Sequence, residues 1–500
     1  MKKALLILLA LCLLCGLFAG CENGKDDGQS ASGGESGGEP KPEMTLAPAA
    51  EEPEPEDSDT VRVLIDLQYA QERWVEGKPA RISDYNIRKA MQQAGWDGEF
   101  AFEFLPAKGG EERTNALQRM RIEIMAGAGP DVFILASTGT AYGPEPLFRY
   151  PEQMMDRNTF LSLDDAIKNA KYMEWDKFIP QVMEAGRNEE GQQILPLCYS
   201  IPVTLFKAEE VQHEHSPSMT FQDLADSGDP ALRLAAAFSR VMVSERQGGI
   251  MDYAPARWRL EGVFPRLADY DTEELVFTQD ELLDVINTQL ELGDLWDSPD
   301  RPAAFQERLR GEMSETGESQ DPYYEGISNP SQGSSEEDRS YTMIPLYNTR
   351  GGCTAVVPCY AAINRNTQHP EEAFLLLDYI MSKECMQTSF YEKIFTCGLP
   401  VHRELLQPEE KVPGVGSMLY DMNQENYEEL QSLLESVTGA RFRDMLDLQM
   451  EELRMEAGIK HFLDTHDDPK WDDMREYYKD SIEDMVDESC RLMKMMLGES

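Results

Sequence analysis

Hydrophobic and polar positions along the chain change period several times, and each change marks an element. Val61 to Leu67 is a β-branched run and reads as a first strand. From Ile82 to Gly95 the apolar residues Ile87, Ala90, Met91 and Ala94 share one helix face, which Gly95 ends. Phe100 to Leu105 alternates as a strand does. Arg113 to Met125 returns to helical spacing, with Leu117, Met120, Ile124 and Met125 inward, and Asp131 to Leu135 is again strand-like. The order β-α-β-α-β predicts an α/β layered sheet. Ser162-Leu-Asp-Asp165 predicts a capping box at a helix start.

Further on, Gln193 to Phe206 is apolar and punctuated by Pro196 and Pro202, which predicts extended chain crossing between two parts of the fold. Thr220-Phe-Gln-Asp223 predicts a second capped helix. Ala231 to Met242 and Asp280 to Trp296 read as helices, and Gly311 to Arg339, rich in Ser, Glu, Gly and Asn, as a surface excursion. Tyr341 to Pro345 and Thr354 to Ile363 are strand-like. Pro370 to Ser382 is a helix with proline in its first turn. From Asn426 the pattern is helical, most strongly over Phe442 to Leu453 and Tyr477 to Leu497. No internal repeat is visible.

Ahead of the first strand the pattern is of another kind. Lys2 and Lys3 precede an unbroken apolar run from Ala4 to Ala19. This is shorter than the ~20 residues of a spanning helix and has the form of a signal-peptide core. Leu17-Phe-Ala-Gly-Cys21 resembles a bacterial lipobox, with Phe18 where Leu is usual. The resemblance implies a lipoprotein signal peptide over residues 1–20, cleavage before Cys21, and an acyl lipid such as palmitate on that cysteine. The chain would then sit on the outer face of the cell membrane, touching it through the lipid alone. Residues 21–60 are Gly/Ser-rich, then Pro/Glu-rich, with almost nothing to bury. Such a composition predicts a disordered tether.

Charge narrows the partners. Lys and Arg number 46 against 92 Asp and Glu, a net charge of -46. Loss of residues 1–20 removes two lysines and no acid, leaving about -48. So acidic a surface argues against nucleic acid and anionic lipid head groups. Of nine cysteines, Cys12 and Cys15 leave with the signal peptide and Cys21 is the lipid site. Cys198, Cys353, Cys359, Cys385, Cys397 and Cys490 remain, an even number that permits disulfides in an exported chain and equally suits buried thiols. Cys353 and Cys359 are nearest in sequence, yet residues six apart on one extended strand cannot pair.

Four segments in order carry a family resemblance. Arg121-Ile-Glu-Ile-Met-Ala-Gly-Ala-Gly-Pro-Asp-Val-Phe133 resembles the helix–loop–strand of solute-binding proteins of ABC importers. Thr220-Phe-Gln-Asp-Leu224, Ala361 to Tyr379 and Gly398-Leu-Pro-Val401 are similar to later segments of the same family, in its carbohydrate-binding branch. The resemblance implies a two-lobed, type II periplasmic-binding-protein-like α/β fold with the ligand cleft between lobes. Lobe one would hold residues 61–200 and 352–398, and lobe two 201–351 and 399–500 with a helix-rich tail. The implied function is capture of a small solute, a sugar or oligosaccharide, for delivery by a monomer to an ABC permease, with no cofactor and no catalysis. A peptide, a polyamine or another solute is the alternative ligand, and an extracytoplasmic ligand sensor the alternative role.

The residues themselves agree with binding rather than chemistry. The sequence has no Gly-x-Ser-x-Gly elbow, no His-Glu-x-x-His and no phosphate loop. His213-Glu-His215 is a metal-like pair without a third ligand, and Asp421 to Glu425 echoes a calcium loop without its glycine, so no metal is expected. Asp164-Asp165 is helix-start charge rather than a glycosidase pair. A sugar needs aromatic faces for its C–H surfaces and polar side chains for its hydroxyls. The candidates are Tyr69, Trp74, Asp131, Tyr142, Tyr199, Trp258, Tyr347 and Arg350, near predicted strand ends or crossings. Arg350 precedes Gly351-Gly352, a turn expected to bring backbone close to a ligand.

Overall fold

A computed structural model describes residues 60–67, 92–93, 95–96, 98–106, 109–137, 145–209, 211–237, 241–244, 249–252, 260–297, 304–309, 341–387, 398–406 and 424–498. The chain divides into two compact units, Met1–Ser58 and Asp59–Ser500, and every described residue belongs to the second. Cys21, the tether, most of the predicted helix at 82–95 and the excursion at 311–339 lie outside the described residues.

Three parallel strands open the fold. β1 (Thr60–Asp66) lies between β2 (Glu99–Phe104) and β3 (Val132–Ala136). β3 is buried at every residue, which is why its five side chains are all apolar. The connection from β2 to β3 is α1 (Glu111–Met125), which buries Arg113, Leu117 and Met120. Met125, expected inward, is 87% exposed. It lies five residues past Met120 and so points about 140° away around the helix.

α2 (Pro151–Asp156) precedes the long β4 (Ile194–Lys207). α3 (Phe221–Ala225) starts at the expected capping box: the Asp223 N–H donates to Thr220 Oγ1 at 3.2 Å, and the Thr220 N–H to the Asp223 carboxylate at 2.8 Å. The box expected at Ser162 does not form. Ser162 Oγ donates instead to Glu190 O at 2.7 Å, and Asp164 is held by Arg187 at 2.6 Å, so the helix there runs only over Asp164–Ile167. Tertiary partners took the capping groups. The helix predicted over 231–242 spans Pro230–Ala236, and Val241–Ser244, two of whose four residues are β-branched, is a strand.

α4 (Gln279–Gly293), β5 (Ala304–Leu309), β6 (Tyr341–Pro345), β7 (Cys353–Ile363), α5 (Pro370–Ile380) and the short β8 (Leu399–Pro400) follow. The tail is not wholly helical as its pattern suggests. Between α6 (Gln424–Glu435) and α7 (Met445–Thr465) stands β9 (Val437–Phe442), and α8 (Ile482–Gly498) ends the fold, packed on α7 and α4. The result is a mixed sheet in the order β5-β4-β7-β3-β1-β2, with β6 and β8 also on β4 and β9 on β7. One apolar cluster runs through it, and helices pack around it, giving a mixed α/β fold. No helix among the described residues is long and apolar enough to cross a membrane.

Candidate functional site

β4 and β7 each change partners part-way along. The first half of β4 pairs with β7 (Cys198 opposite Cys359, Ile194 opposite Ala362), and its second half, from Ile201 to Lys207, pairs with β5 and β6. On β7, Cys359 to Ile363 lies against β3, while Cys353 to Val357 lies against β9. A third pass, β8, joins β4 at Cys198 and Tyr199. The changeovers carry prolines at Pro202, Pro358 and Pro400, which lack an N–H and so weaken the ladder where the chain must leave one set of partners for another.

These changeovers lie at the carboxyl edge of the parallel strands. Ala136, the last residue of β3, pairs with Cys359, and the Ser137 N–H and Oγ donate to Pro358 O and Val357 O, each at 2.8 Å. In open α/β sheets the crevice beyond the carboxyl ends is where ligands bind. Arg113 braces this edge from below. Its guanidinium holds Asp66, at the end of β1, through two bonds of 3.0 and 2.6 Å, and also donates to Pro106 O and Glu145 O at 2.7 Å each. Arg113 and Asp66 are both 1% exposed.

A seam of aromatic and charged side chains adjoins the same edge. The Arg443 N–H reaches Val357 O at 3.4 Å, next to Ser137, and Phe442 packs edge-on against Tyr360 of β7 with ring centres 5.3 Å apart. Beyond Arg443 the chain enters α7 through a capping box in which Asp444 accepts from Leu446 at 2.7 Å and Asp447 accepts from Asp444 at 2.9 Å. Asp447 also holds Arg441 with two bonds of 2.7 and 2.6 Å. Tyr270 donates to Asp444, and its ring lies 5.8 Å from that of Tyr150. Arg266 stands over the Tyr270 ring at 5.7 Å and pairs with Glu152 of α2 at 3.2 Å.

Burial dominates the electrostatics of the seam. It pushes the Asp444 carboxyl up to about 7, with Asp447 adding to the rise and Arg441 opposing it. It raises Glu152 against the pull of Arg266, and raises the phenols of Tyr150 and Tyr270. At Asp447 burial works the same way but Arg441 outweighs it, holding that carboxyl below its ordinary range. The seam is closed in this structure, with Tyr150 2% and Tyr270 5% exposed, and the Arg266 guanidinium is its half-exposed group.

The eight residues singled out from the sequence do not gather in one place. Tyr69, Trp74, Tyr142 and Trp258 lie outside the described residues; the first three belong to segments that follow the carboxyl ends of β1 and β3. Asp131 stands at the opposite, amino edge of β3. Its carboxylate accepts from the Arg62 N–H at 2.8 Å and from the Thr367 hydroxyl, so it fastens the Gly-Pro-Asp turn to β1 and to the loop after β7. Tyr199 is wholly buried on β4, with β8 pressed against it: a Cβ on Gly398 would lie 2.6 Å from Tyr199 O.

Tyr347 is buried too, its hydroxyl 2.9 Å from His213 Nε2. His215 packs edge-on against His213 and lies 3.8 Å from Glu429. Burial, with His215 adding to it, lowers His213 to about 4. Among the described residues no group of three His, Cys, Asp or Glu is arranged to hold a metal ion. Arg350 is exposed, 3.4 Å from Glu281. The glycine turn after it approaches the protein's own backbone rather than an open space: a Cβ on Gly351 would lie 3.2 Å from Pro217 O, and one on Gly352 2.7 Å from Ser436 O.

Tyr150, Glu152, Arg266, Tyr270, Arg441 and Asp444 were not singled out from the sequence. The usable signal was Arg441-Phe-Arg-Asp444, whose alternation of charged and aromatic residues leads into Asp-x-x-Asp at a helix start.

No family model matches the chain, and no curated protein matches it. Among solved structures it is similar to an extracellular solute-binding protein family 1 from Alicyclobacillus acidocaldarius, at 14% identity, 88% of this chain, 98% of that one and a TM-score of 0.48. It is similar to a cyclic α-maltosyl-1,6-maltose binding protein from Arthrobacter globiformis, at 12% identity, 88% of this chain, 99% of that one and a TM-score of 0.47. A third, similar at 11% identity over 88% of this chain and 100% of that one with a TM-score of 0.45, is an ABC substrate-binding protein from Listeria monocytogenes in complex with cycloalternan.

Proposed function

We propose that this chain is a substrate-binding protein, held by lipid at Cys21 on the outer face of the cell membrane, that captures a sugar or oligosaccharide and hands it to an ABC permease. The observation that carries this reading is the pair of strands β4 and β7, each shared between two groups of partners, with an aromatic and charged seam where they change over. Strands shared in this way are natural hinges, since a small change in backbone angle at Ser200 or Pro358 turns one group against the other. The lobes that would turn are residues 61–200 with 352–398, and 201–351 with 399–500. Tyr150, Glu152, Arg266 and Tyr270 are the contacts assigned within the described residues. Tyr69, Trp74, Tyr142 and Trp258, outside the described residues, are proposed as further aromatic contacts. Asp131, Tyr199, Tyr347 and Arg350 support the framework.

The test is thermal unfolding of a soluble form beginning at residue 60, recorded against mono- and oligosaccharides, amino acids, peptides and polyamines. A ligand at 100 times its dissociation constant adds about 2.7 kcal/mol to stability. A shift confined to sugars, and abolished in Tyr270→Ala, supports the reading. A shift only with peptides or polyamines keeps the binding role and overturns the ligand class.

A further inference from the structure

The pairing register sets two cysteines opposite one another that lie far apart in sequence. Cys198 of β4 pairs with Cys359 of β7, and the register shifts immediately beyond them, between Cys359 and Tyr360, where Leu197 is left without an opposite residue. Opposed residues of antiparallel strands have Cα atoms ~4.5–5.5 Å apart, and the bulge beside this pair bends β4 where the two strands meet. That separation falls within the ~4.4–6.8 Å that a disulfide spans. Both residues are wholly buried, and both are thiols in this structure. They mark the changeover itself, since Cys198 also pairs with Pro400 of β8 and Cys359 with Ala136 of β3. The other described cysteines are placed differently. Cys353 lies on the same strand as Cys359, its Sγ 3.1 Å from Ser436 Oγ, Cys385 is in the short helix Lys383–Met386, and Cys490 is in α8.

We propose that Cys198 and Cys359 form a disulfide that clips the two changeover strands together. The reaction is exchange with an external disulfide, such as oxidised glutathione or the disulfide of an oxidoreductase. One cysteine thiolate attacks the donor and releases one donor thiol, leaving a mixed disulfide. The second thiolate then displaces the remaining donor sulfur, so the donor leaves as two thiols carrying the two electrons and two protons. Because both cysteines are buried, exchange takes place while the strands are parted, during folding or transient opening. The clip joins positions 359 − 198 = 161 residues apart. It ties β4 to β7 at their common point, so the two strands bend as one and cannot slide past each other. That an oxidising compartment supplies the donor rests on the export reading above; the geometry of the pair does not.

The full chain, reduced and unfolded, is refolded with oxidised glutathione, capped with N-ethylmaleimide, digested without reduction and mapped by mass spectrometry. The expected product is one linked peptide pair carrying Cys198 and Cys359, lost on adding dithiothreitol. The unfolding midpoint should rise with the link and fall back on reduction. Cys353→Ser should keep both effects, and Cys198→Ser should abolish both. Linkage of either cysteine to another partner, or alkylation of both in protein that has refolded, overturns the proposal. A link that forms in vitro yet is missing from protein taken from cells supports the pair and counts against export.

Discussion

Arg113 shows how much one buried side chain can organise. Its donors join the end of β1, the segment after β2 and the chain at Glu145, all at the edge where the changeovers lie. Truncation to alanine would leave the Asp66 carboxylate buried without its cation, a loss of about 3–5 kcal/mol. Arg113→Ala should therefore show a large drop in the denaturation midpoint, whereas Arg119→Ala, on the exposed face of the same helix, should be near neutral. Two other residues make stability depend on pH with opposite signs. Asp444 rises from 3.8 to about 7 on folding, so the folded chain holds this proton more tightly, and its contribution is present below pH 3.8 and lost as pH rises through 7. His213 falls from 6.5 to about 4, so its contribution is present above pH 6.5 and lost as pH falls through 4. Across this window Asp444→Asn should steepen the rise of the unfolding midpoint with pH, and His213→Gln should flatten it. Matching slopes in the two variants would refute the assignment.

Elements were legible where a period ran long enough to read. α1, α4, α5 and α8 each carry a helical stripe, and β1, β3 and β7 are apolar runs with abrupt ends. β9 escaped because it is six residues long, contains Gly439, and is followed directly by the stripe of α7, which masks it. The box at Ser162 was misread for a different reason: its side chains find partners at Glu190 and Arg187, which no local pattern contains. The glycine turn before β7 was legible as a turn, but its neighbour was not. Gly352 has φ of +74°, and a Cβ there would lie 2.3 Å from Thr438 Cγ2 and 2.7 Å from Ser436 O. Gly352→Ala should cost roughly 1–2 kcal/mol for the left-handed backbone alone, with the clash against β9 added to it. Its denaturation midpoint should fall further than that of Gly439→Ala, where a Cβ meets nothing within 4 Å.

At the scale of the whole molecule, the sequence pointed to a layered α/β fold and to extended chain crossing it at 193–206, and the strand found there is β4. The site was harder to read, because it joins residues from four separate stretches: Tyr150 and Glu152, Arg266 and Tyr270, Tyr360, and Arg441 to Asp444. Each looks ordinary alone. Asp131 drew attention by its place in a recognisable turn, and that turn is a fastening at the far edge of β3. The acidic balance of 92 against 46 is a property of the whole surface, while the seam gathers Arg266, Arg441 and Arg443 among its carboxylates. A global charge therefore says little about which solute the seam would accept.

The position of β7 also bears on the order in which the molecule can be made. β3 and β4 are neighbours of β7 on its two sides, at residues 132–136 and 194–198, yet β7 itself comes at 353–363. A chain emerging from its N-terminus thus has both flanking strands long before the one that belongs between them. Until residue 363 is available the sheet has a gap at its centre, and contacts this distant in sequence form slowly even afterwards. Under the export reading proposed above, the late middle strand works as a timer that holds the sheet open while the chain is threaded across a membrane.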